Sequence, residues 1–162
     1  MQLNIRTLVT SGLLAAMYIA VTALIAPIGF SVIQFRISEI FNHLVIFNKR
    51  YFWGIVVGVI VSNILMSSLG FLEIFGVAQS ILSLLIIMLI STVIKNRVTL
   101  MIINTCVFSF TMFFIAIMLK IGIGAPFFET WATTAAGEFI VMALGIPIIL
   151  MLARRIPFEK MI

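Results

Sequence analysis

Charge is the first thing this chain has little of. Ten of its 162 residues are Lys or Arg and five are Asp or Glu, 9% in all, whereas soluble globular domains carry about a quarter. A water-soluble fold of this composition would precipitate, so the soluble classes are excluded. Cysteine is nearly absent as well: Cys106 stands alone in an apolar stretch, can form no intramolecular disulfide, and reads as packing. Enzyme signatures are missing. The chain has no G-x-x-x-x-G-K-[ST] phosphate loop, no H-E-x-x-H zinc motif and no G-x-S-x-G nucleophile turn, which excludes ATP hydrolysis by that route and gives no basis for an enzyme. The lone His43 lies four residues after Glu39 and so on the same helix face, a weak acid-base or metal candidate whose simpler role is structural. No cofactor is implied. The basic excess could suggest nucleic acid, but Lys and Arg sit in pairs at the ends of apolar runs rather than in a patch, which is the signature of membrane topology.

What the chain has instead is apolar length. Hydrophobic residues make up 64%, in segments at about 8–28, 37–47, 51–69, 74–94, 98–119 and 131–152 separated by charges and turn residues. At 20 to 25 residues per crossing, about the requirement for a bilayer, residues 1–162 make one transmembrane domain of five or six helices. The N-terminus, with Arg6 before an apolar run, has a passing likeness to a signal peptide, but the run is too long for one and reads as the first span. The segment between Arg36 and Lys49 is too short to cross about 30 Å of hydrocarbon at 1.5 Å per residue. If it crosses with help from its neighbours, six spans place both termini in the cytoplasm. Arg6, Lys49, Arg50, Lys95, Arg97, Arg154, Arg155 and Lys160 then lie inside, against Arg36 and Lys120 outside. If it does not cross, five spans with an external N-terminus satisfy the positive-inside rule equally well.

Within these apolar segments a few residues are costly. Glu138 is a lone carboxylate in the run from Trp131 to Leu152, and a charged group near the bilayer centre costs at least a few kcal/mol unless it faces a bundle interior. Gly137 beside it permits close approach, and Thr134 one turn earlier can orient it. Asn63 and Gln79 also fall inside apolar helices and need hydrogen-bond partners there, either between helices or with a ligand. In the six-span arrangement Glu39, Glu73 and Glu129 gather at the outer helix ends, forming an outward-facing acidic cup. In the run 34–39, Arg36 and Glu39 are three apart. They can pair with each other, or one of them can bind a polar solute. Trp131 and Phe127 serve as interfacial anchors or as a lid over a planar ligand. Two ladders of small residues, Gly12, Ala16 and Ala20, and Gly54, Gly58 and Ser62, allow helices to approach closely.

The run Phe35-Arg36-Ile37-Ser38-Glu39 after a helix containing Ala16-x-x-x-Ala20, with Gly137-Glu138 and then Leu144-Gly145-Ile146-Pro147 in the last helix, resembles the queuosine-precursor transporter family QueT. Nearly the whole chain is covered, and the F-R-I-S-E run is the specific part. The resemblance implies a six-helix, S-component-like bundle of an energy-coupling factor (ECF) transporter in a bacterial plasma membrane. It further implies a substrate site near the extracellular side and a partner module of one transmembrane coupling protein and two ATPases, with Ala16 and Ala20 facing the coupling protein. The implied ligand is a 7-deazaguanine. Its base edge presents adjacent N–H donors that one carboxylate can accept, and an aminomethyl substituent would favour a second carboxylate. The residues expected at this site are Arg36, Glu39, Asn63, Glu73, Gln79 and Glu138. Two alternatives are an S component for another vitamin, such as thiamine or riboflavin, and a self-sufficient proton-coupled carrier built on Glu138.

Overall fold

The computed structural model describes residues 5–26, 35–67 and 69–162. Gln34 and the end of the first apolar run lie outside them. The described residues form an all-α, six-helix bundle, and none of them is in a strand. Helix α1 is Ile5–Leu24, α2 Ile37–Ile46, α3 Tyr51–Met66, α4 Ile74–Val93, α5 Arg97–Thr111, α6 Phe113–Ile123 and α7 Phe127–Ala153. Helices α5 and α6 are two halves of a single span. They part at Met112, beside which the hydroxyls of Ser109 and Thr111 bond back to the carbonyls of Thr105, Val107 and Phe108, a pattern that often accompanies a bend.

The short segment α2 is the centre of the bundle. It packs against α7, α1, α3, α4 and α5, and residues 38, 39 and 41–45 are all buried. It is wound as a 3-10 helix, whose rise of about 2.0 Å per residue stretches ten residues to about 20 Å where an α-helix would reach about 15 Å. Winding and burial together let a segment that is too short alone run alongside longer neighbours.

Close helix approach depends on the second small-residue ladder. A Cβ at Gly54 would lie 2.8 Å from the Ser11 carbonyl oxygen, and one at Gly58 2.8 Å from the Tyr18 Cβ, so α3 meets α1 backbone to backbone. Gly145 does the same for α7, where a Cβ would come within 2.9 Å of Ile40 on α2. The first ladder behaves differently: Gly12, Ala16 and Ala20 are exposed on the outer face of α1, and nothing lies within 4 Å of a Cβ at Gly12. Large apolar side chains such as Leu24, Leu89, Val93 and Phe128 are also exposed, the inside-out distribution that lipid requires.

The two chain ends meet. Thr10 Oγ1 donates to the Met161 carbonyl at 3.1 Å, Asn48 Nδ2 to the carbonyls of Glu159 at 3.2 Å and Ile162 at 3.1 Å, and Tyr51 Oη to that of Phe158 at 2.8 Å. The start of α1, the α2–α3 turn and the end of α7 therefore share one end of the bundle. This requires an even number of passes and removes the five-span arrangement.

Candidate functional site

Among the described residues twenty that are polar or charged are buried, and those at the end of the bundle away from the chain termini contain its costliest groups. Arg36 stands just before α2 in extended conformation. Its Nη1 donates to Asn63 Oδ1 on α3 at 3.1 Å, and its Nη2 lies 4.0 Å from Glu73 Oε2 at the start of α4. Glu73 Oε1 accepts from the Ser67 hydroxyl. Gly76 leaves room for this cluster, since a Cβ there would lie 3.0 Å from Asn63 Nδ2 and 3.4 Å from Glu73 Oε2.

One turn into α2, Glu39 is 3% exposed and well supplied with donors. Tyr18 Oη on α1 donates to its Oε1 at 2.7 Å, and Asn42 Nδ2 donates to Oε2. Beside it, Thr22 Oγ1 and Ser38 Oγ are 2.7 Å apart. Two hydroxyls of α1 thus fix the polar edge of α2.

Glu138 differs from both. It is 0% exposed, neither carboxylate oxygen has a hydrogen-bond partner among the described residues, and it feels the charges of Glu39 and Arg36. Thr134 does not orient it: its hydroxyl is directed at the carbonyls of Thr130, at 2.8 Å, and Trp131, at 3.2 Å. An empty-handed buried carboxyl is expensive.

Other expected residues fall elsewhere. Gln79 is buried and ties α4 to α5, with its Nε2 donating to Thr111 Oγ1 at 3.1 Å and its Oε1 accepting from Ser80 Oγ at 3.2 Å. No described hydrogen bond joins it to the Arg36 cluster. Glu129, read into the acidic cup, is exposed in the first turn of α7, where the helix dipole favours a carboxylate without burial. Trp131 donates from Nε1 to the Phe110 carbonyl at 3.0 Å and packs on Phe110, Phe113 and Phe127, which makes it a brace between spans. His43 is structural. It lies 3.0 Å by Nε2 from the Met142 carbonyl and 3.2 Å by Nδ1 from Asn104 Nδ2; a carbonyl only accepts, so Nε2 carries the proton and Nδ1 receives the amide's. No group of three His, Cys or Glu side chains suited to a metal occurs among the described residues.

Tyr18, Asn42, Ser67 and Gly76 were not expected at this site. Asn42 carried a readable signal, standing three residues after Glu39 on a segment too short to waste polar groups. Tyr18 lies inside the apolar run of α1, and nothing in the sequence marks its hydroxyl's partner.

A family model described as the QueT transporter matches residues 8–154. The chain belongs to the QueT transporter family. It is also 29% identical over 161 residues, 94% of this chain and 95% of the relative, to the queuosine precursor transporter QueT of Lactococcus lactis subsp. cremoris strain MG1363. No solved structure matches it. The match is to a transporter family, and with the long apolar helices it makes this chain a multi-pass α-helical membrane protein of a kind that moves a small molecule.

Proposed function

We propose that this chain is the substrate-binding S component of an ECF-type uptake transporter, taking a 7-deazaguanine queuosine precursor in its aminomethyl form from outside a bacterial cell. Glu138 carries the reading. Its two oxygens stand without hydrogen-bond donors among the described residues in a fully buried position, and the base edge of a deazaguanine offers two adjacent N–H donors to a carboxylate. Glu73 keeps Oε2 without a hydrogen-bond partner among the described residues and suits the cationic aminomethyl group better than Glu39, whose oxygens already serve Tyr18 and Asn42. Arg36 and Asn63 frame the pocket, and Gln79 joins it by exchanging its bond with Thr111. The likeness to the Lactococcus queuosine precursor transporter supports the same substrate class.

Energy comes from elsewhere, because the chain has no phosphate loop. A transmembrane coupling protein docks on the exposed Ala16 and Ala20 face of α1 and connects it to two ATPases. Eight of the ten basic residues belong to the helix ends and turns at the terminus-bearing end of the bundle, which the positive-inside rule assigns to the cytoplasm.

The test is calorimetric binding of the purified chain to aminomethyl and nitrile deazaguanines, guanine, thiamine and riboflavin, repeated with Glu138→Gln. Losing a charge-assisted bond in a buried site removes at least about 1.5 kcal/mol, about tenfold in affinity. The same change relieves an unpaired buried carboxyl, so the ligand-free variant should unfold at an equal or higher temperature. Unchanged deazaguanine affinity would sink the assignment, and tight vitamin binding would replace the substrate.

A further inference from the structure

At the opposite end of the bundle the α2–α3 and α4–α5 turns enclose a cleft of about 210 Å³. Three cations line it: Lys49 from the first turn, Lys95 from the second, and Arg97 at the start of α5. Lys95 Nζ donates to the Ser91 carbonyl at 3.0 Å, which steadies the ammonium at the mouth and leaves its other two protons for a ligand. Arg97 lies over the Phe47 ring, 5.3 Å from its centroid, and pairs with Glu159. Glu159 offsets one of the three charges, and neither lysine has an ion-pair partner among the described residues. The peptide dipoles of α5 add positive potential at the same spot. The cleft's floor, from Val45, Ile94 and Leu100, is apolar.

We propose that this cleft binds the phosphate of an anionic phospholipid headgroup. A phosphodiester carries one negative charge, and its oxygens accept the donors that Lys49 and Lys95 present. Lipid rather than free phosphate is favoured by what adjoins the site. Leu89 and Val93 on the last turns of α4 are 71% and 82% exposed, and Val98 and Ile102 on the first turns of α5 are also exposed. Acyl chains lying along that apolar surface bring their headgroups to the helix ends, where the cations stand. Basic pockets between transmembrane helices are suited to such headgroups. The site is independent of the polar cluster around Glu138 and of its ligand.

The full chain in a neutral detergent would be titrated with dioctanoyl phosphatidylglycerol, dioctanoyl phosphatidylcholine and sodium phosphate, and thermal unfolding followed. Phosphatidylglycerol should raise the unfolding temperature saturably, and the other two should not. Removing two lysines by Lys49→Gln with Lys95→Gln should move the phosphatidylglycerol midpoint to roughly thirtyfold higher concentration. Arg154→Gln with Arg155→Gln removes two exposed cations outside the cleft and should leave it in place. Both lysines are exposed, so the variants are expected to fold. Equal loss in both double variants would overturn the site in favour of diffuse surface charge. Equal stabilisation by sodium phosphate would overturn the lipid source, and equal stabilisation by phosphatidylcholine would overturn headgroup recognition.

Discussion

Gly12 and Gly58 should respond to alanine in opposite directions. Both lie in helices and neither has the left-handed backbone that only glycine tolerates, so each gains about 1 kcal/mol of helix propensity on substitution. At Gly12 nothing lies within 4 Å of the new methyl, and that gain stands alone. At Gly58 the methyl would lie 2.8 Å from Tyr18 Cβ and 2.9 Å from its Cγ. Carbon atoms settle at about 3.5 to 4.0 Å, so α1 and α3 must part by nearly an ångström or the buried Tyr18 ring must move. Overpacking of this kind costs about 1 to 3 kcal/mol. Displacing the ring also strains the 2.7 Å bond from Tyr18 Oη to Glu39, a bond to a charged group worth about 1.5 to 3 kcal/mol. After the propensity gain, a net loss of about 2 to 4 kcal/mol remains for Gly58→Ala. At about 2 to 4 °C per kcal/mol for a chain of this size, thermal unfolding in detergent should show Gly12→Ala higher by a few degrees and Gly58→Ala lower by roughly 5 to 15 °C. If both variants rise together, α3 does not meet α1 through Gly58, and the support of Glu39 by Tyr18 falls with it.

Ala16→Leu with Ala20→Leu changes only an exposed face, so the isolated chain should keep its unfolding temperature and bind deazaguanine within about twofold, a change of under ~0.5 kcal/mol, while co-purification with a coupling protein is lost. Retained assembly would mean that another surface docks the partner. His43→Leu strands the Asn104 amide and the bond to the Met142 carbonyl, and should cost about 1 to 3 kcal/mol in thermal unfolding with no new metal dependence. A neutral outcome would refute the lock between α2, α5 and α7.

The apolar runs of the sequence marked the segments that became helices, because membrane spans are set by length and hydropathy alone. Two local features were hidden. The break at Met112 is flanked by hydroxyls of Ser109 and Thr111 turned back on their own helix, with Gln79 donating to Thr111, and no residue of the run is a helix breaker that marks it. The 3-10 winding of α2 leaves no mark in a short apolar run, since ten residues share nearly the same buried face either way. At the site, Arg36, Glu39, Asn63, Glu73 and Glu138 were legible as groups too costly to leave in lipid, and all five are buried. Glu129, expected at the outer end of its helix, stands exposed in the first turn of α7, and spacing along α7 does not say how far that turn lies open. Gln79 was legible as a group in need of a partner, but the sequence could not say that Thr111 and Ser80 would supply it.

Three buried carboxyls share this interior with Arg36, and the way their lone pairs are used separates their tasks. Glu39 holds donors on both oxygens, so it costs little to keep and anchors α1 to α2. Glu73 holds one, with the guanidinium nearby, and is half committed. Glu138 holds none. A structural carboxyl acquires partners within its own chain, because nothing else offsets its burial; on the proposed reading, the ligand supplies what Glu138 lacks. Helix α1 carries the same division. Tyr18 faces inward to Glu39, while Ala16 and Ala20, each two residues away and so about 200° round the helix, face outward. Whatever docks on the outer face therefore presses on the helix that holds Glu39 in place. A partner that shifts α1 can change the polar interior without touching it.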